Sequence, residues 1–203
     1  MLKQIPNILT GGRLVLSVVF LVMVFFEPKL AAHRDTSFYL DVTFVIFVVA
    51  ALTDIIDGAI ARKLNVASKF GRMVDPLADK ILICGSFVIF ALIGQPKLFG
   101  FTKVQLAVIQ WGFAGIIIAR EAFVTFLRHY SESRGIKFPA TFSGKIKMFV
   151  QAFAVGTVII KMAHVQTPLW GQWFTAITYL VTVIITVVSG FLSIRKVKPA
   201  GTL

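Results

Sequence analysis

The chain has 203 residues, of which 57% are hydrophobic and 15% charged, with a mean hydropathy of +0.86, values that exclude an ordinary soluble domain. Its net charge of +12 is spread in small groups beside apolar runs instead of on a polar basic domain, which excludes a nucleic-acid footprint. The composition is that of an integral membrane protein.

Apolar runs near the length needed to cross a ~30 Å hydrocarbon core predict six helices, at about 8–26, 38–61, 71–93, 104–127, 146–163 and 172–194. This is an all-α, polytopic six-helix bundle. No polar stretch is long enough to fold separately, so residues 1–203 are read as one membrane domain.

In the first element, Met1–Phe26 has the basic start and apolar run of a signal peptide, but no small-x-small cleavage site follows and five more apolar runs do. It is retained as helix 1. Pro6 and Gly11-Gly12 predict that the first residues lie along the membrane interface before the chain turns inward, with Arg13 near the surface.

Helices 2 and 3 carry the densest chemistry, in the stretch DIIDGAIARKLNVASKFGRMVDPLADK. Asp54 and Asp57 are three residues apart, and Asp75 and Asp79 four apart, so each pair projects from one helix face. A basic reversal between them predicts antiparallel neighbours whose carboxylates converge at similar depth. A carboxylate in lipid costs about 2.5 to 3.5 kcal/mol, and bound divalent cations would offset that cost for hard oxygen ligands. Gly58 and Ala61 leave room beside the acids, Arg62 suits bidentate phosphate contact, and Gly71 allows close packing at the entry to helix 3. Cations, carboxylates and a narrow cavity describe phosphoryl transfer. The bland alternative is that the acids pair with Arg13, Arg62, Arg72 and Lys80 to hold the bundle together.

Cys84 in helix 3 is alone, which rules out an intramolecular disulfide, and it is read as packing. Helix 4 holds Arg120-Glu121 within an apolar run, read either as a phosphate-binding cation or as a buried structural pair. Helix 5 is the shortest, and Lys145, Lys147 and Lys161 at its ends could snorkel. Trp170 and Trp173 at the start of helix 6 fit an aromatic belt at the outer interface. His33, His129 and His164 are scattered without metal-ligand spacing and are read as solvated.

Lys and Arg concentrate at both termini and after helices 2 and 4, leaving Lys29, Arg34, Lys97, Lys103 and Lys161 on the other face. The positive-inside rule then makes both termini cytoplasmic. The early start of helix 1 favours the bacterial inner membrane over an organelle that would require a presequence.

Asp54, Asp57, Gly58, Ala61, Arg62, Gly71, Asp75 and Asp79 match every fixed position of D-x2-D-G-x2-A-R-x8-G-x3-D-x3-D, so the chain resembles the CDP-alcohol phosphotransferases. The resemblance implies a six-helix membrane enzyme, commonly a homodimer, that joins an alcohol to the phosphate of a CDP-linked donor and releases CMP. It implies that Asp54, Asp57 and Asp75 bind Mg2+ or Mn2+, with Asp79 completing the metal site and acting as general base. Gly58, Ala61 and Arg62, with Gly71 nearby, would bind the donor.

Outside this signature, IPNILTGGR, IAREAFVTFLR and SGKIKMFVQ resemble segments of the phosphatidylglycerophosphate synthases of that family, with Met148 where Thr is usual and His129 where Glu is frequent. This likeness implies CDP-diacylglycerol as donor and sn-glycerol 3-phosphate as acceptor. The acceptor phosphate needs cations, which Arg120, Lys145 and Lys147 at the inner ends of helices 4 and 5 could supply, although positive-inside topology equally accounts for the two lysines. Within the family the alternatives are a cardiolipin synthase and a phosphatidylinositol phosphate synthase. Outside it, a divalent-cation transporter could use the same acids as an ion site, although no acidic residues continue across the bundle to line a path.

Overall fold

The computed structural model describes the backbone over 5–31, 36–64, 69–134 and 142–194, and side chains over 11–30, 36–53, 77–134 and 143–194. Six helices follow one another: α1 (Ile5–Ala31), α2 (Ser37–Leu64), α3 (Lys69–Ile93), α4 (Lys103–Ser133), α5 (Phe142–His164) and α6 (Leu169–Ile194). Each covers its predicted run and extends it. The largest extension is at the end of α4, where Arg128, His129, Glu132 and Ser133 carry the helix past its apolar part. Among the described residues α4, α5 and α6 are long and apolar enough to span a membrane, and Ser37–Thr53 of α2 forms a shorter apolar helix.

One sequence expectation is corrected. α1 runs unbroken from Ile5 through Gly11 and Gly12, so the glycine pair does not turn the chain; a helix satisfies their backbone groups without water. α1 packs against both α2 and α3, and the ends of α2 and α3 that carry Asp54, Asp57 and Asp75 lie outside the described side chains. The physical reason for the α1 packing is in its contacts. Phe20 packs against Phe47 of α2 with ring centroids 5.2 Å apart and the rings tilted, and Tyr39 of α2 donates to the Met23 carbonyl at 2.9 Å. On α3, Gly85 has no side chain where Leu21 of α1 approaches: a Cβ there would lie 2.9 Å from Leu21 Cδ1.

The remaining packing closes a ring in the order α1, α2, α5, α6, α4, α3, with α3 and α5 also meeting across the middle. Apolar and aromatic side chains dominate the core at mid-height. Phe87 of α3, Phe113 of α4 and Tyr179 of α6 form an aromatic cluster in which Phe113 and Tyr179 stack at 4.0 Å, beside the buried Ile117, Val155 and Val158.

α6 packs through a stripe of small and hydroxyl residues: Gly171, Thr175, Thr178, Thr182, Thr186, Ser189, Gly190 and Ser193 are buried. Their spacing of three or four residues keeps them on one face. Thr175, Thr178, Thr182 and Ser193 each donate to the carbonyl four residues back, so these hydroxyls are satisfied within the helix and neighbouring helices can approach closely. The opposite face, including Trp173, Ile177, Leu180, Ile184, Val188 and Phe191, is exposed and apolar, as a lipid-facing surface requires.

Candidate active site

Alternating helix directions bring the start of α1, α3 and α5 to the same end of the ring as the finish of α2, α4 and α6. Asp54, Asp57, Gly58, Ala61 and Arg62 occupy the last turns of α2, and Gly71, Asp75 and Asp79 the first turns of α3. Four residues, 65–68, separate the two helices, fewer than the reversal predicted, because α2 continues to Leu64 and α3 already includes Gly71. The side chains of residues 54–76 lie outside the described residues, so the convergence of the aspartates, and the roles of Gly58, Ala61, Arg62 and Gly71, do too. No group of three acids, histidines or cysteines that could hold a metal is found among the described residues.

Asp79 is described, and its carboxylate is about one-third exposed and faces Arg13 of α1 at 3.6 Å. Arg13 itself is buried, not at a solvated surface. Ser17 Oγ donates to the Arg13 carbonyl at 2.8 Å, one turn further along α1. An arginine so enclosed needs negative charge nearby to offset its desolvation, and Asp79 contributes it. Asp79 is thus fixed from a neighbouring helix.

Beside Asp79, Lys80 reaches α4 and donates to Thr125 Oγ1 at 2.7 Å. Thr125 in turn donates to the Glu121 carbonyl at 2.7 Å. The Glu121 side chain receives two cations on one oxygen: Arg120 Nη1 at 3.1 Å and Lys147 Nζ of α5. Lys147 is 5% exposed. It therefore does not snorkel to the interface; it is drawn into the bundle by Glu121. Lys145, two residues earlier on α5, is exposed.

Arg120 crosses from α4 onto α6 over Gly190, where a Cβ would lie 3.4 Å from Arg120 Cγ. Its Nε is buried and has no hydrogen-bond partner. Next along α5, Gln151 donates to Thr186 Oγ1 of α6 at 3.1 Å. The result is a positive, hydrogen-bonded network spanning α3, α4, α5 and α6 at the end of the ring that holds Asp79. A pair of cations on a single carboxylate leaves net positive charge, and Arg120 keeps a donor unused.

The sequence reading missed Thr125, Gln151 and Gly190. Thr125 stands four residues after Glu121, a spacing that placed it on the same face. Gly190 lies in the small-residue stripe of α6, a repeat that was visible in the sequence.

The family model for CDP-alcohol phosphatidyltransferases matches residues 3–188. The chain belongs to the CDP-alcohol phosphatidyltransferase family. It is 32% identical over 191 residues to a Mycobacterium tuberculosis protein named as a probable phosphatidylglycerophosphate synthase, covering 93% of this chain and 79% of that protein. It is 30% identical over 192 residues to the CDP-diacylglycerol--glycerol-3-phosphate 3-phosphatidyltransferase of Bacillus subtilis, covering 93% and 92%. A Rickettsia felis protein of the same name is 32% identical over 158 residues, covering 78% and 76%. This family member is a membrane-embedded transferase, and its family is generally dependent on a divalent metal.

The histidine reading changes in one place. His164 at the end of α5 pairs with Asp41 of α2 at 2.7 Å, so neither is isolated, though both side chains are about half exposed. His129 lies 3.9 Å from Glu132 on the surface of α4, and His33 lies outside the described residues.

Proposed function

We propose that this chain transfers the phosphatidyl group of CDP-diacylglycerol to sn-glycerol 3-phosphate, giving phosphatidylglycerophosphate and CMP. The names of the relatives support both substrates. The single observation that carries the acceptor half is the Lys80–Thr125–Glu121–Arg120/Lys147 network, which starts at the residue after Asp79. A soluble, doubly charged acceptor needs such cations beside the reacting end, whereas a lipid acceptor does not. That difference favours glycerol 3-phosphate over the phosphatidylglycerol used by a cardiolipin synthase.

In the proposed reaction, the acceptor hydroxyl oxygen bonds to the lipid-side phosphorus of the donor, and the bond from that phosphorus to the CMP oxygen breaks. The hydroxyl proton passes to Asp79, which Arg13 holds in place. Arg120 offers its charge to the acceptor phosphate, with Lys147 beside it on Glu121 and the exposed Lys145 two residues nearer the start of α5. Gly58, Ala61, Arg62 and Gly71 bind the CDP part of the donor.

Asp54, Asp57, Asp75 and Asp79 would hold Mg2+ or Mn2+, since four carboxylates are the hard oxygen donors such ions take. The partial exposure of the Asp79 carboxylate leaves it open to a ligand. When bound, the metal neutralises the pyrophosphate oxygens and stabilises the charge on the departing CMP.

We place the enzyme in a bacterial inner membrane with both termini cytoplasmic, as a single-domain homodimer. A transporter would need polar groups through the bundle. Here the Phe87, Phe113 and Tyr179 cluster fills the middle, which disfavours that reading.

The test is direct. Purified protein with CDP-diacylglycerol, Mg2+ and labelled glycerol 3-phosphate should yield equal amounts of CMP and labelled lipid. Release of CMP with phosphatidylglycerol, and none with glycerol 3-phosphate, would refute the acceptor assignment.

A further inference from the structure

At the opposite end of the ring lies a cavity of about 630 Å³ between the end of α3, the 94–102 connection, the start of α4 and the α5–α6 turn. Its polar lining consists of two cations, Lys97 and Lys103, three amides, Gln110, Gln166 and Gln172, and the hydroxyl residue Thr167, with no acid among the lining residues. Its walls are apolar, including Leu92 and Leu106, and Leu92 is 57% exposed, so the cavity is continuous with the lipid-facing surface.

Most of the polar atoms there are already used. Gln166 Nε2 donates to the Met162 carbonyl at 2.8 Å. Gln172 donates to the Thr167 carbonyl at 3.0 Å and accepts from the Phe99 amide at 2.5 Å. Gln110 is different. Its Nε2 donates to the Pro96 carbonyl at 3.2 Å, which fixes the amide orientation. Its Oε1 is buried and lacks a donor, although the residue is only 4% exposed. A buried amide oxygen without a donor is unfavourable, so the position is suited to a hydroxyl brought by a ligand. Neither Lys97 nor Lys103 makes an ion pair among the described residues. The buried Glu27 of α1 feels the charge of Lys97 but does not line the cavity.

We propose that this cavity binds the headgroup of an anionic glycerophospholipid from the membrane leaflet remote from Asp79, with its phosphate between Lys97 and Lys103 and a headgroup hydroxyl donating to Gln110 Oε1. The apolar walls take the upper parts of the acyl chains. A free phosphate ester shares the polar chemistry but has nothing to place against those walls. The site is independent of the transferase reading, since none of its residues belongs to the active-site network.

Trp170 and Trp173 lie in the first two turns of α6 and Trp111 in the third turn of α4; none lines the cavity, but all lie toward this end of the bundle and report lipid held near it. The protein is reconstituted in phosphatidylcholine vesicles, and tryptophan quenching is measured with brominated phosphatidylglycerol or brominated phosphatidylcholine at equal mole fraction. Phosphatidylglycerol should associate at least threefold more strongly. Millimolar glycerol 3-phosphate should leave that quenching unchanged. The Lys97→Gln/Lys103→Gln variant should lose the preference while keeping its transferase rate within twofold, and Lys97→Arg/Lys103→Arg should retain the preference. Equal quenching by the two lipids in the unaltered protein would overturn the proposal whatever the variants do. Displacement by glycerol 3-phosphate would overturn the assignment to a lipid.

Discussion

Lys147 and Glu121 are 26 residues apart in sequence, yet the Lys147 ammonium sits on the same carboxylate oxygen that accepts from Arg120. One acid thereby holds two buried cations from two helices. Removing it leaves both uncompensated in a setting with little water. Glu121→Ala should therefore destabilise the protein by about 3 to 5 kcal/mol, with Glu121→Gln less damaging because it keeps an acceptor. Thermal unfolding in detergent checks this; an unchanged midpoint for Glu121→Ala would mean that the cations are neutralised elsewhere.

For Asp79, the proposed proton acceptor, Asp79→Asn should lower turnover by about 10² to 10⁴-fold, while binding of CDP-diacylglycerol remains measurable. Single-turnover release of CMP, alongside donor binding by calorimetry, separates the two effects. A near-normal rate would remove Asp79 from the base role.

Arg120 reaches over Gly190 with one donor to spare. Arg120→Ala should raise the KM for glycerol 3-phosphate about tenfold or more, equivalent to roughly 1.4 kcal/mol or more, and leave the KM for the CDP-lipid nearly unchanged. Arg120→Lys should recover only part of the loss, since it restores charge without the planar donor set. An equal rise in both KM values would point to general damage of the site.

Gly171 offers a test of packing far from the chemistry. A Cβ at this position would come within 2.2 Å of Val165 Cγ1, and a β-branched side chain has little freedom to withdraw. Gly171→Ala should cost about 1 to 3 kcal/mol of stability. Combining it with Val165→Ala should restore most of that loss, as a double-mutant cycle of unfolding midpoints would show.

The helices were legible in the sequence because each apolar run is long enough to announce itself. Arg120-Glu121 was recognised as unusual for the same reason: charge inside an apolar run is expensive. The third member, Lys147, was read as a helix-end residue free to reach the interface, since nothing local links α5 to α4. Only the ring order brings it to Glu121. The packing of α1 on both α2 and α3 was hidden for a related reason, as sequence neighbours are the default expectation for antiparallel helices. His164 and Asp41, 123 residues apart, could not be paired by inspection. The aspartates of the α2–α3 signature were singled out by their spacing, and apart from Asp79 their side chains lie outside the described residues.

The length of α4 has a consequence for how a water-soluble molecule would arrive. Its 31 residues make a rod of about 46 Å at 1.5 Å per residue, against a hydrocarbon slab of about 30 Å. Arg128, Glu132 and Arg134 occupy its far end, where charge is incompatible with acyl chains. That end therefore stands out of the bilayer as a post at the end of the ring that holds Asp79. A dissolved sugar phosphate diffusing in from the aqueous side would meet this post, and its flanking charges, before it met any lipid.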